Sequence, residues 1–175
     1  MSEYQKQKAI KPKIEEVIPI LVREESRQAA LDFVEYIRNN KMTPSWATTD
    51  AWKFNYKGKR AGYLRVSENG DWELQVFTQY DSYLNGLVLG ESEKIKNHVA
   101  KQIGNNIPCG GCMPGENRRT VTKELKNVCA CTGIRITNPD DCFYEFAKKL
   151  IGLRQGAILN DRVPKCNYIK PADRK

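Results

Sequence analysis

Trp52-Lys53-Phe54-Asn55-Tyr56-Lys57-Gly58-Lys59, with the residues that follow to Val66, is the stretch that decides the fold. Trp52, Phe54 and Tyr56 alternate with Lys53 and Asn55, the period of a strand with its aromatics on one face. Lys57-Gly58-Lys59 then reads as a turn, its glycine available for positive φ. The return strand sets Ala61, Tyr63 and Arg65 on one face and Gly62, Leu64 and Val66 on the other. Glu68-Asn69-Gly70-Asp71 carries the Asn-Gly pair of a second hairpin, and Trp72 to Phe77 supplies a third strand. Hairpins of this kind predict an antiparallel meander rather than parallel crossovers.

Helical patterns flank the meander. Glu24 to Asn40 repeats apolar residues at Ala29, Ala30, Phe33, Val34 and Ile37, one buried face of a helix. Glu24 and Glu25 suit its first turn, and Asn39-Asn40 with Pro44 end it. Upstream, Ile14 to Leu21 is apolar, but Pro19 restricts it to a short helical turn or an extended piece. Tyr80 to Gly90 reads as a loop. Glu91 to Ile103 predicts a second helix on Ile95, Val99 and Ile103, with Gly104-Asn105-Asn106 stopping it. Apolar positions between residues 119 and 137 suggest one or two further strands. Asn138 is placed as an N-cap, with Pro139 at the first helical position, and the last helix runs to about Arg154. Gly156 then marks its end.

The predicted fold class is α+β: an antiparallel sheet of about five strands with helices packed on one face. The expected organisation is a flexible N-terminal arm over 1–13 and a single α+β domain over 14–156. A Cys-rich loop lies at 104–118, and a basic tail at 157–175.

Composition narrows the function classes. The chain has 175 residues, 40% hydrophobic and 29% charged, enough for a hydrophobic core without cysteine staples. No apolar run approaches the roughly 20 residues of a membrane helix, so no membrane partner is expected. Met1 to Lys6 has no apolar leader region, which predicts a cytoplasmic location and reduced thiols. The net charge of +8 permits nucleic-acid binding. Part of it sits at the ends, however, in Lys6, Lys8, Lys11 and Lys13 and in Lys165, Lys170, Arg174 and Lys175, where solvated tails are the plainer reading.

Six cysteines in such a chain point to metal or thiol chemistry before disulfides. Cys109-Gly110-Gly111-Cys112 can turn two thiolates toward one cation, its glycines permitting the tight turn. Cys129 and Cys131, two residues apart on a predicted strand, share a face and can complete a tetrahedral zinc site. The candidate metal ligands are therefore Cys109, Cys112, Cys129 and Cys131, with zinc as the cofactor. His98 and Cys142 are alternative fourth ligands, although a helical surface or boundary position and core packing explain them more simply. A redox dithiol on Cys109 and Cys112 competes with the metal site, but Pro114-Gly115 follows where a thioredoxin-type motif would start a helix. Buried or incidental cysteines are the third reading, and suit Cys142 and Cys166 best.

A separate ligand-binding reading uses the aromatic sheet, with Trp52, Tyr63 and Trp72 lining a small-molecule pocket and Glu73 as its polar contact. An ordinary aromatic core accounts for the same residues. Arg118, Arg119, Lys123 and Lys126 form a basic patch that could take phosphate or simply face solvent. No phosphate-binding loop, dinucleotide fingerprint, His-Glu-x-x-His helix or nucleophile elbow is present, so no catalytic residues are assigned.

Phe33 to Arg38 with Lys41-Met42, Ser45-Trp46, Trp52-Lys53, Tyr56 to Lys59 and Cys109 to Cys112 with Pro114-Gly115 resemble a family of small bacterial proteins common in anaerobic Firmicutes. Lys123-Glu124-Leu125, Asn127-Val128-Cys129, Asn138-Pro139-Asp140 and Lys148-Lys149-Leu150 extend the resemblance, which spans about residues 25–154. It implies no established activity. More distantly, Trp52 to Val66 and the closing strand and helix are similar to the YdhG-type group, which implies a frataxin-like α+β fold. Some members of that group are intracellular iron chaperones that use exposed carboxylates, and this basic chain has no acidic ridge.

Overall fold

A computed structural model describes residues 3–78, 82–104, 118–119, 128–129 and 133–162 of the chain. The meander forms as its alternation requires. Strand β1 (Ser45–Thr48) pairs antiparallel with β2 (Ala51–Tyr56), β2 with β3 (Lys59–Val66), and β3 with β4 (Trp72–Phe77). Strand β7 (Gly133–Thr137) closes the far edge, giving five strands in the order β1-β2-β3-β4-β7. Register fixes the two faces. Trp52 lies opposite Leu64, which lies opposite Leu74, and Val66 lies opposite Trp72. These residues are buried and form one side of the core. Lys53, Tyr63 and Gln75 line up on the other face, beside a second row of Ala51, Arg65 and Glu73.

Three helices precede the sheet: α1 (Glu3–Ile10), α2 (Ile14–Leu21) and α3 (Glu24–Asn39). Helix α3 buries Ala30, Phe33, Val34 and Ile37, the stripe its periodicity marks. Phe33 meets Trp72 at 5.9 Å between ring centroids, so α3 packs on the aromatic face of the sheet. Helix α1 is a difference from the sequence reading, since residues 3–10 are helical where a flexible arm is expected. In α2 the apolar residues Ile14, Val17 and Ile18 are buried, and Pro19 is accommodated inside the helix. The Glu16 carboxylate accepts from the Lys13 backbone N–H at 3.1 Å and closes the first turn.

Downstream come α4 (Ser82–Leu89), α5 (Glu93–Gly104), a two-stranded ribbon of β5 (Arg118–Arg119) and β6 (Val128–Cys129), then β7 and α6 (Asp141–Leu159). Helix α4 lies in the stretch read as a loop. Helix α5 buries Ile95, Val99 and Ile103, the three positions its spacing selects. Helix α6 begins two residues later and ends five residues later than expected. Phe146, Ala147, Leu150 and Ile151 are fully buried on it.

The chain divides into two compact units, a boundary the sequence does not signal. The first comprises residues 1–76 and 135–147, and holds α1 to α3 and most of the sheet. The second comprises residues 77–134 and 148–175. Within the second, the Arg162 guanidinium lies 3.9 Å from the Tyr83 ring centroid, and Lys149 Nζ pairs with Glu91 Oε1 at 2.6 Å.

Candidate functional site

Cys109, Cys112 and Cys131 lie outside the described residues, and Cys129 is described only as part of strand β6. The ribbon that carries Cys129 is antiparallel, with Arg118 opposite Cys129 and Arg119 opposite Val128. Cys129 is thus on a strand, while Cys131, the other half of the Cys-x-Cys reading, lies outside the described residues. In an antiparallel pair the chain enters the first strand and leaves the second at the same end. Lys123 and Lys126 of the basic patch also lie outside the described residues.

The alternative ligands fall elsewhere. His98 is half-buried on α5. Cys142 is exposed in the first turn of α6 rather than packed in the core, because the helix starts at Asp141 and turns this position outward. Among the described residues, no group of three or more His, Cys, Asp or Glu side chains converges on a metal position.

The aromatic pocket does not assemble as the sequence suggests. Trp52 and Trp72 are buried at 0% and 2% exposure, on the core face. Tyr63 and Glu73 stand on the opposite face, because they occupy alternate positions of β3 and β4. Trp52 Nε1 donates to the Pro12 carbonyl at 2.8 Å, which ties the sheet to the segment between α1 and α2. Both tryptophans are thus structural, and one sheet cannot bring all four side chains to one pocket.

Glu73 instead helps to line a polar cleft of about 220 Å³ beside Asp50, Arg65, Ser67, Asn69 and Asp71. Arg65 Nη1 lies 3.3 Å from Asp50 Oδ2, and Arg65 Nε lies 3.8 Å from Glu73 Oε1. Tyr63 carries the guanidinium groups of Arg60 and Arg65 at 5.0 and 5.4 Å from its ring centroid. Asp71 Oδ1 accepts from Asn138 Nδ2 at 2.7 Å and lies 3.4 Å from Arg23 Nη2. The cleft's three carboxylates therefore neutralise neighbouring cations or accept amide hydrogens. This is a charge network that braces strand ends and turns.

The carboxamide of Gln7, in the N-terminal helix, is missed by sequence reasoning. It is only 2% exposed, and neither Nε2 nor Oε1 has a hydrogen-bond partner among the described residues. No apolar periodicity surrounds it, so composition alone offers no signal for its burial. Comparison with protein-family models, with curated proteins and with solved structures finds no match to this chain. No helix among the described residues is long and apolar enough to cross a membrane.

Proposed function

We propose that this chain is a non-enzymatic cytoplasmic protein stabilised by a structural zinc ion on Cys109, Cys112, Cys129 and Cys131. The supporting observation is that Cys129 lies on a strand of a short antiparallel ribbon, opposite Arg118, within the stretch of sequence that carries all four cysteines. Two strands of two residues bury too little to hold such a ribbon by themselves. Four thiolates on one zinc, with Zn–S distances of about 2.3 Å, supply the missing stabilisation and leave no open coordination position for chemistry. The metal would join residues of the second unit only, since all four cysteines fall between residues 77 and 134.

Metal analysis of protein purified without chelator tests the reading. About one zinc per chain is expected. Cys109→Ser and Cys129→Ser should each lose it, together with part of the thermal stability. A folded, metal-free protein whose loop thiols all react with a thiol reagent sinks the proposal.

A further inference from the structure

We propose that the tip of the β2–β3 hairpin is a docking surface for single-stranded nucleic acid. The chain from residue 51 to residue 67 holds five cations, Lys53, Lys57, Lys59, Arg60 and Arg65, and no Asp or Glu. The fold concentrates four of them toward one end of the hairpin. Lys57 and Gly58 take φ of +45° and +76°, a two-residue turn closed by the pairing of Tyr56 with Lys59. Lys57, Lys59 and Arg60 are exposed there, and Lys53, further back on β2, is half-buried. Strand alternation alone would send Arg60 to the core face, where Gly62 and Leu64 lie. The β2–β3 register shifts between Phe54 and Asn55, however, so Ala61 is an extra residue and Arg60 pairs with Asn55. Arg60 thereby joins Lys53 and Tyr63 on the face away from the core. Its guanidinium lies 5.0 Å from the Tyr63 ring centroid and donates to the Tyr63 hydroxyl. Arg65 is engaged elsewhere, by Asp50 and Glu73.

Charge and stacking together select the partner. Lys53, Lys57, Lys59 and Arg60 set up a positive field that no acid of the hairpin cancels, which complements a phosphodiester backbone. The lysines at the tip carry their charges on flexible stems and follow a backbone laid across either side of the turn. Arg60 is different, because Tyr63 holds its guanidinium against the sheet. An aromatic ring and a guanidinium plane are both stacking surfaces for unpaired bases. A duplex keeps its base faces hidden in its own stack and uses only the cations. An acidic polypeptide likewise supplies charge without bases. Only a single strand engages the cations and the Arg60–Tyr63 pair at once. Contacts to phosphates and base faces carry no hydrogen-bond code, so binding should tolerate any sequence.

Fluorescence anisotropy of the full chain with a labelled oligothymidylate of about twelve nucleotides tests this. An abasic oligomer and a duplex of the same length, and poly-glutamate, are the matched probes. Oligothymidylate should bind with a dissociation constant of about 10 μM at about 50 mM salt. With roughly three or four phosphates neutralised, log K should fall with log salt at a slope of about −2 to −3. The abasic oligomer should bind about tenfold more weakly, since it keeps the phosphates and lacks the bases. The duplex and poly-glutamate should also bind more weakly than the single strand. Lys57→Gln combined with Lys59→Gln, at exposed positions whose change spares the fold, should weaken oligothymidylate about tenfold and flatten the salt slope by about 1.4. Lys165→Gln combined with Lys170→Gln, in the basic C-terminal stretch, should leave the affinity within about twofold of wild type. The proposal is overturned if oligothymidylate does not bind at low salt, or if any of the three matched probes binds as tightly. It is equally overturned if the hairpin variant binds as wild type does, or if the C-terminal variant loses as much affinity as the hairpin variant.

Discussion

Gly62 shows how tightly the sheet is packed. A Cβ there would lie 2.2 Å from the Gln75 carbonyl oxygen and 2.4 Å from Cζ of Phe54. Phe54 is the cross-strand neighbour, and its ring lies over the glycine. The backbone carbonyl cannot give way without disturbing the β3–β4 ladder. Gly62→Ala should therefore cost about 2–3 kcal/mol, the upper part of the range for overpacking a core, measured by urea unfolding. At Gly58, φ is +76° and a Cβ would meet nothing, so Gly58→Ala should cost about 1 kcal/mol from backbone strain alone. Equal losses at the two sites would contradict the steric account. Tyr144 offers a pH test. It meets Phe33 edge-on at 5.2 Å, and burial, with Asp32, Glu145 and Glu35 nearby, pushes its hydroxyl up to about 12. The unfolded chain ionises this tyrosine near 10. Its contribution to stability is therefore full below pH 10 and is lost as pH rises toward 12. Relative to Tyr144→Phe, wild type should lose stability over that window, and a constant difference between the two from pH 9 to 12 would rule the effect out.

At the scale of elements, the junction of β7 and α6 carries more than a helix cap. Asn138 takes φ of +42° and donates its backbone N–H to the Trp72 carbonyl at 2.9 Å. Its Oδ1 accepts from the Trp72 N–H at 3.0 Å, and its Nδ2 donates to Asp71. The N-cap role falls to Asp140, whose Oδ1 accepts from the Phe143 N–H at 3.1 Å. Asn138→Ala should cost about 2–3 kcal/mol, because it removes two side-chain hydrogen bonds and puts alanine in a left-handed conformation. Asp140→Ala should cost about 1 kcal/mol, as loss of a cap does. Differential scanning calorimetry would separate the two, and the reverse order would refute this division of roles. Asn138-Pro139-Asp140 reads as a capping sequence, but which residue caps depends on the strand beside it, and the sequence does not carry that. The same limit explains the other misses. Helix α6 passes through Gly152 and Gly156, although glycine normally marks an end, because side chains buried on either side of them hold the helix together. Helix α1 has no apolar stripe to announce it. By contrast α3, α5 and the β2–β4 meander were legible because one face of each is buried and its period appears directly in the residues. Of the candidate site, the strand under Cys129 was legible. The separation of Trp52 and Trp72 from Tyr63 and Glu73 was legible in principle too, since residues of opposite parity on paired strands face opposite ways.

At the scale of the whole molecule, the two units suggest how the proposed zinc site would show itself. Unit one carries a continuous core of Phe33, Ile37, Trp52, Leu64, Trp72 and Leu74, built from helix and sheet with no cysteine among them. Unit two carries α4, α5 and the ribbon, and it spans Cys109, Cys112, Cys129 and Cys131. Its ribbon has the shortest strands of the described chain, so its stability should depend most on a cross-link. Local opening follows the distribution of buried contacts, and a metal that holds one region protects that region's amides first. Hydrogen exchange with and without a strong zinc chelator should therefore show a selective loss. Amides of β6 and of α5, which ends at Gly104 shortly before Cys109, should exchange at least about tenfold faster after chelation. Those of β2 and β3 should hold their rates. Uniform acceleration across both units would mean that the chain opens as one body, and unchanged rates everywhere would remove zinc from the account of its stability.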